Sequence, residues 1–169
     1  MKAAATFAIA PGRADDIPLV QRLADQVWRE HYPGILSDAQ IDYMLARGYS
    51  REALLRFVTE RDAGLALARI DGDAAGFAAW YRPEPAATKL DKLYVLPRHH
   101  GAGAGRALIE HVASAARGMG CELLTLNVNR SNAKAIRAYE RCGFEIRERG
   151  DFPIGQGFVM EDFIMVRAL

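Results

Sequence analysis

Residues 89–106, KLDKLYVLPRHHGAGAGR, carry the densest chemistry in this 169-residue chain. Leu90, Leu93, Val95 and Leu96 surround Tyr94 in an apolar run of strand length, and Pro97 ends it because proline cannot donate to a sheet ladder. Gly101, Gly103 and Gly105 then alternate with Ala102 and Ala104, leaving a loop with almost no side-chain bulk and access to conformations closed to other residues. Beyond Arg106, Leu108, Ile109, Val112 and Ala116 recur at helical spacing, so the glycines stand at a helix N-terminus. The first amides of a helix lack internal acceptors and carry the positive end of its dipole, which makes such a loop a nest for an anion, phosphate above all. A tight strand-to-helix connection would use the same letters. Two nucleotide-binding patterns fit poorly: a P-loop needs Lys-Ser or Lys-Thr where Arg106-Ala107 stand, and a dinucleotide fingerprint needs glycine at Arg106.

A second constellation follows at residues 127–144, NVNRSNAKAIRAYERCGF. Ser131 or Asn132 can cap a helix that ends at Gly143, a position suited to a left-handed C-terminal residue. Asn132 and Tyr139 are seven residues apart, two helical turns, and so share a face. His99 and His100 are neighbouring loop histidines whose side chains diverge, and no third ligand pattern makes them a metal site. Cys142 has no histidine or other base spaced to activate it and reads as structural.

The elements that must position these residues can be read in order. A strand is expected over residues 6–10, then a helix opened by Asp15 and Asp16 with Val20, Leu23, Ala24 and Val27 on one face. Ser37 and Gln40 have the spacing of a capping box, and a third helix starts near Ser50. Strands over residues 65–70 and 74–81 flank Asp71-Gly72-Asp73, a hairpin signal, and residues 82–88 with their two prolines are expected to form a loop. After the glycine-loop helix, Gly118 and Gly120 mark a stop and residues 121–128 form the next strand. Short strand-like pieces at 152–154 and 163–166 are joined through Gly155-Gln156-Gly157.

Composition sets the outer bounds. Half the residues are hydrophobic and a quarter charged, which suits one α/β domain over residues 1–169. The net charge of +1 arises from scattered basic residues, so neither a nucleic-acid nor a membrane surface is indicated. Cys121 and Cys142 have neither disulfide-framework nor zinc spacing, and the start of the chain is too weakly apolar for a signal peptide. A cytoplasmic location is the expectation.

The run LYVLPxxxGxGxGRAL closely resembles the phosphate loop of the GNAT acetyltransferases, in which an apolar strand and a proline lead into [Q/R]-x-x-G-x-[G/A] at a helix start. The pattern can be laid on Arg98, Gly101 and Gly103, or on His100, Gly103 and Gly105, the register that matches the whole run better and puts histidine where the family usually has Arg or Gln. The family's downstream segment N-x-x-A-x-x-x-Y-x-x-x-G-F is matched at Asn132, Ala135, Tyr139, Gly143 and Phe144, so the resemblance spans roughly residues 89–146. It implies a mixed, mostly antiparallel central sheet flanked by helices, with acetyl-CoA as cosubstrate and direct transfer to a primary amine. By the same resemblance the pantetheine arm lies along Leu93, Tyr94 and Val95 as an added strand, and a backbone N–H there faces the oxyanion. The pyrophosphate would sit on amides from Gly101 through Ala102, Gly103, Ala104 and Gly105 to Arg106, with Arg98 and His100 nearby. Asn132 would contact the cofactor arm, and Tyr139 would be the general acid. A phenol with a pKa near 10 is protonated at neutral pH and can donate to a thiolate whose acid has a pKa near 8.5.

The acceptor side is less determined. Freeing an alkyl amine of pKa about 10.4 at pH 7 costs roughly 4.6 kcal/mol, so a base or water chain is needed, and Asp91, Glu30 and His31 are the candidates. Trp28, Tyr32, Tyr43, Trp80 and Tyr81 are candidate pocket walls, although aromatics there also suit the core, and Glu161 and Asp162 could attract a cation. The segments HYPGILSDAQIDYML and IGQGFVMED are similar to a bacterial subgroup that acetylates polyamines and small amines. A small primary amine, polyamines included, is therefore the expected acceptor. Protein or peptide acetylation and a non-catalytic acyl-CoA sensor are the alternatives, and a homodimer is a compatible assembly.

Overall fold

The computed structural model describes residues 6–169. Seven strands form one sheet in the order β1-β2-β3-β4-β5-β7-β6. Neighbours are antiparallel except β4 (Ala87–Val95) and β5 (Leu123–Asn129), which run parallel. No helix among the described residues is long and apolar enough to cross a membrane.

Strand β1 (Phe7–Pro11) lies on the outer edge against β2 (Ala63–Ile70). Between them run α1 (Ile17–His31), α2 (Asp38–Gly48) and α3 (Arg51–Thr59). Their apolar stripes, including Val20, Val27, Trp28, Ile41, Leu54 and Phe57, bury against one face of the sheet. The opposite face packs on α4 (Ala104–Gly118) through Leu108, Ile109, Val112 and Ala113, with α5 (Ala133–Arg141) beside it. Helices on two faces of a mixed sheet bury both sides of its central strands, and β3 (Asp73–Glu84) accordingly holds six consecutive buried residues.

The hairpin at Asp71-Gly72 forms as expected, both residues having positive φ (52° and 88°) as a two-residue turn with primed geometry requires. Residues 82–88 do not form the expected loop. Instead β3 runs to Glu84 and β4 starts at Ala87. The prolines fit because Pro83 falls within an irregular register between Tyr81 and Glu84, where no ladder donor is required. The pieces near the C-terminus are likewise parts of two long strands, β6 (Glu145–Gly155) and β7 (Phe158–Ala168). The charged segment RERGD obscured β6, an edge strand that needs few apolar residues.

Ser37 caps α2 by accepting from the Gln40 amide at 3.1 Å, but the Gln40 side chain does not return to the cap. It reaches the β6–β7 hairpin and donates to the Val159 carbonyl at 3.2 Å. Tyr43 Oη donates to the Ile154 carbonyl at 2.6 Å, and Arg47 binds the same oxygen. Three consecutive turns of α2 are thus strapped to the hairpin at the far end of the sheet.

Candidate active site

The parallel pair is short: β4 and β5 are in register only at Ala87–Leu123, Thr88–Leu124 and Lys89–Thr125. Beyond Lys89 the two strands splay, so β4 from Leu90 to Val95 is bonded on its β3 side alone. A free strand edge is a ready template for an extended ligand. The splay opens a cleft of about 850 Å³ running from the glycine loop to the β6–β7 hairpin.

At one end lies the loop that follows β4. Gly101 and Gly103 adopt φ of 80° and 90°, which only glycine reaches without strain, and a Cβ on either would meet open space. Gly103 is the N-cap of α4, and its carbonyl receives the first helical bond, from Ala107 at 3.0 Å. The amides of Ala104, Gly105 and Arg106 therefore stand without a backbone acceptor among the described residues, in front of clear space of the kind a diphosphate needs. Arg106 also donates to the Arg141 carbonyl at 2.9 Å, tying α4 to the end of α5.

His100 and Arg98, the two residues on which the loop pattern can be started, are placed differently. His100 lines the cleft, its Nε2 lying 2.8 Å from the Val95 carbonyl and its Nδ1 2.9 Å from Lys134 Nζ. An acceptor on one side and an ammonium donor on the other select the Nε2–H tautomer. Arg98 turns to His99 Nε2 at 3.2 Å, and neither it nor Ala102 lines the cleft.

Along the free strand the side chains alternate as a pleated strand requires. Leu93 and Val95 pack toward α4, and Tyr94 packs on the α1–α3 side against Trp28, with ring centroids 5.9 Å apart. A bulge puts Asp91 between Leu90 and Lys92, which face Trp80 and Ala79 on β3. Asp91 and His31 both line the cleft, and Asp91 pairs with Lys92 at 3.0 Å; Glu30 is exposed and not among the lining residues.

Asn132 is buried and caps α5, its Oδ1 accepting from the Ala135 amide at 3.3 Å. Tyr139, two turns later, also lines the cleft, with its ring edge-on to Phe144 at 5.8 Å. Burial pushes the Tyr139 hydroxyl above its ordinary pKa, and nearby Tyr32 and Cys142 add to the effect. The group is thereby held as a protonated donor.

Of the aromatic residues suggested for the acceptor end, Trp28 and Tyr32 line the cleft, stacked at 4.4 Å. Tyr43 belongs to the strap behind it, Trp80 is buried on the α4 face, and Tyr81 lies under the Arg56 guanidinium at 4.6 Å. Tyr49, Lys89, Asn127, Phe152 and Met160 also line the cleft. The polar members had a sequence signal, since Asn127 and Asn129 interrupt an otherwise apolar strand, LLTLNVN.

Deepest among the charged groups is Asp162 on β7, 6% exposed. Its Oδ2 accepts from Asn127 Nδ2 at 3.4 Å, and Asn127 Oδ1 is in turn bonded by Lys89 Nζ. Its Oδ1 is buried and has no partner among the described residues. Burial pushes the Asp162 carboxyl above its ordinary pKa, opposed by the Asn127 hydrogen bond and by Lys89 and Arg130. Burial likewise lowers the Lys89 ammonium, with Asp91 and Asp162 acting the other way. Tyr32 is raised chiefly by burial, is lowered by its Tyr94 contact and feels the Asp162 charge.

This architecture of a splayed sheet, a glycine loop and a phenol across the cleft agrees with the comparisons to known proteins. A sequence model of the acetyltransferase (GNAT) family matches residues 21–144. The chain belongs to the GNAT acetyltransferase family. It is therefore an acyltransferase, an acetyl-CoA-dependent N-acetyltransferase. An uncharacterized N-acetyltransferase of Mycobacterium tuberculosis is 31% identical over 137 residues, 81% of this chain and 87% of that protein. Streptothricin acetyltransferase of Streptomyces lavendulae is 45% identical over 75 residues, 44% of this chain and 40% of that one. In fold, the PaiA N-acetyltransferase of Thermoplasma acidophilum, solved with coenzyme A, superposes with a TM-score of 0.83 over 97% of this chain and 99% of its own, at 23% identity. The GNAT fold expected from the two sequence segments is thus the one observed.

Proposed function

We propose that this GNAT enzyme acetylates the primary amine of a small cationic molecule, with polyamines among the acceptors, by direct transfer from acetyl-CoA. The observation that carries this reading is the strap from α2 to the β6–β7 hairpin through Gln40, Tyr43 and Arg47. It packs behind the acceptor end of the cleft and fixes Arg47 and Ile154 in its wall, whereas a peptide acceptor would need an open groove. Trp28, Tyr32 and Phe152 give that end aromatic walls, and aromatic faces attract ammonium groups. The partial match to streptothricin acetyltransferase, named for a small-molecule acceptor, points the same way.

Acetyl-CoA supplies the activated acetyl group as a thioester. The chain's own residues do the rest. The free amides of Ala104, Gly105 and Arg106, with Gly101, Gly103 and the Lys134–His100 pair beside them, hold the diphosphate. The unbonded edge of β4 at Leu93, Tyr94 and Val95 takes the pantetheine amides as an added strand and offers an N–H to the oxyanion. Tyr139 supplies the proton that the departing sulfur needs. A thiol-release screen with acetyl-CoA against polyamines, amino acids and lysine peptides tests the reading. Turnover is expected with small amines, and turnover confined to peptides would overturn it.

A further inference from the structure

The buried carboxylate at the acceptor end has no role in the chemistry described so far. Asp162 projects from β7 opposite Asn129 on β5 and Gly150 on β6. Gly150 has no side chain to cover it, and the Phe152 ring lies across that glycine so closely that a Cβ there would come within 2.5 Å of it. One carboxylate oxygen is held by Asn127, and the other is buried without a partner among the described residues, in a residue that lines the cleft. Unpaired buried carboxylate oxygens are costly, so this one, in a residue that lines the cleft, calls for a donor, from water in the free protein and from a ligand in the complex. An ammonium donor suits it best, because the same wall carries aromatic faces and a carboxylate accepts only.

We infer that Asp162 Oδ1 receives the acceptor ammonium and takes its proton, with Asn127 as a positioning residue that holds the other oxygen. The step balances. The ammonium N–H bond breaks and its proton passes to Asp162 Oδ1; the freed lone pair forms the N–C bond to the acetyl carbon as the thioester C–S bond breaks. The sulfur takes the Tyr139 proton, the second amine proton leaves to water, and Tyr139 is reprotonated from water. Each turnover therefore releases one proton, after Asp162 returns its own to solvent. The charged and titratable groups facing Asp162 are Lys89 on β4, bridged through Asn127; Arg130 after β5, itself paired to Asp151 at 2.7 Å and Glu161 at 3.4 Å; and Tyr32 at the end of α1. The upward displacement of the Asp162 carboxyl narrows the gap to an alkyl ammonium.

This inference rests on the acceptor reading above, and one experiment separates the two. Wild type, D162N and N127A are assayed by thiol release at saturating acetyl-CoA, from pH 6 to 10, with alkyl amines, lysine peptides and an arylamine that is neutral at pH 7. For D162N, kcat/KM toward whichever cationic acceptor the wild type uses is expected to fall about 100-fold at pH 7. The loss should shrink as pH rises and the free amine appears, and it should be small with the arylamine, while acetyl-CoA affinity measured by calorimetry stays unchanged. N127A should displace the pH profile with less loss of rate. Equal kcat/KM and the same pH profile in D162N and wild type would overturn the role of Asp162 and leave the acceptor reading intact. Turnover with peptides alone, lost in D162N, would overturn the small-molecule reading and keep Asp162. Silence of the wild type across the panel would overturn both.

Discussion

His100 Nε2 lies 2.8 Å from the carbonyl oxygen of Val95, so the glycine loop is held back against the strand it leaves. The same ring accepts from Lys134 and brings a cation from α5 to the loop's edge. His100 thereby joins three elements, the glycine loop, β4 and α5. Replacing His100 with alanine removes both bonds, each worth about 1 kcal/mol. Calorimetry is expected to show coenzyme A binding weakened about tenfold or more, with kcat at saturating acetyl-CoA nearly kept.

Gly103 makes a separate test of the same loop. Its φ of 90° is left-handed, and alanine there costs about 1–2 kcal/mol of strain although nothing obstructs its Cβ. G103A should lower the melting temperature of the free protein by a few degrees and also weaken coenzyme A binding. An unchanged melting temperature would show that the loop relaxes into another conformation.

Tyr139→Phe removes the donor while keeping the ring against Phe144. The expected result is a fall in kcat of about 100-fold with unchanged acetyl-CoA affinity. Because burial raises the Tyr139 pKa above 10, the wild-type rate should show no loss from this group as pH climbs to 10. A rate that declines with a pKa near 9 and loses that decline in Y139F would contradict the assignment.

Tyr43→Phe deletes one leg of the strap, the 2.6 Å bond to the Ile154 carbonyl. The loss of about 1 kcal/mol at the acceptor end predicts a roughly fivefold rise in acceptor KM and no change in acetyl-CoA KM. Matching changes in both constants would show that the strap supports the whole cleft.

Asp162 also predicts a stability effect of opposite sign to its effect on rate. Its folded pKa is raised, so its stabilising contribution is full below the unfolded value of about 3.9 and is lost as pH rises through the folded value. At pH 7 the buried charge weakens the fold. D162N should therefore unfold at the same or a higher temperature than wild type at pH 7 while losing activity, as chemical and thermal denaturation would show.

The sequence by itself located the two segments proposed to form the cofactor half of the site. The phosphate loop and the Asn132 to Tyr139 helix are each built from residues a few positions apart, and local spacing on a strand, a turn or a helix face is what a one-dimensional reading preserves. The central strand, the hairpin at Asp71-Gly72 and the left-handed Gly143 were legible for the same reason. Prolines in residues 82–88 and charges in RERGD concealed strand, because an irregular register and an edge position relax the rules those residues otherwise signal. Only the tertiary structure brought together the residues proposed for the acceptor half. Lys89, Asn127 and Asp162 lie on three strands far apart in sequence, and they meet because β4 and β5 part after Lys89 while β7 inserts between β5 and β6. Gln40 looked like half of a capping box and became part of a strap because the hairpin's carbonyls come within its reach. Long-range contacts of this kind depend on strand order and splay, which no local pattern encodes.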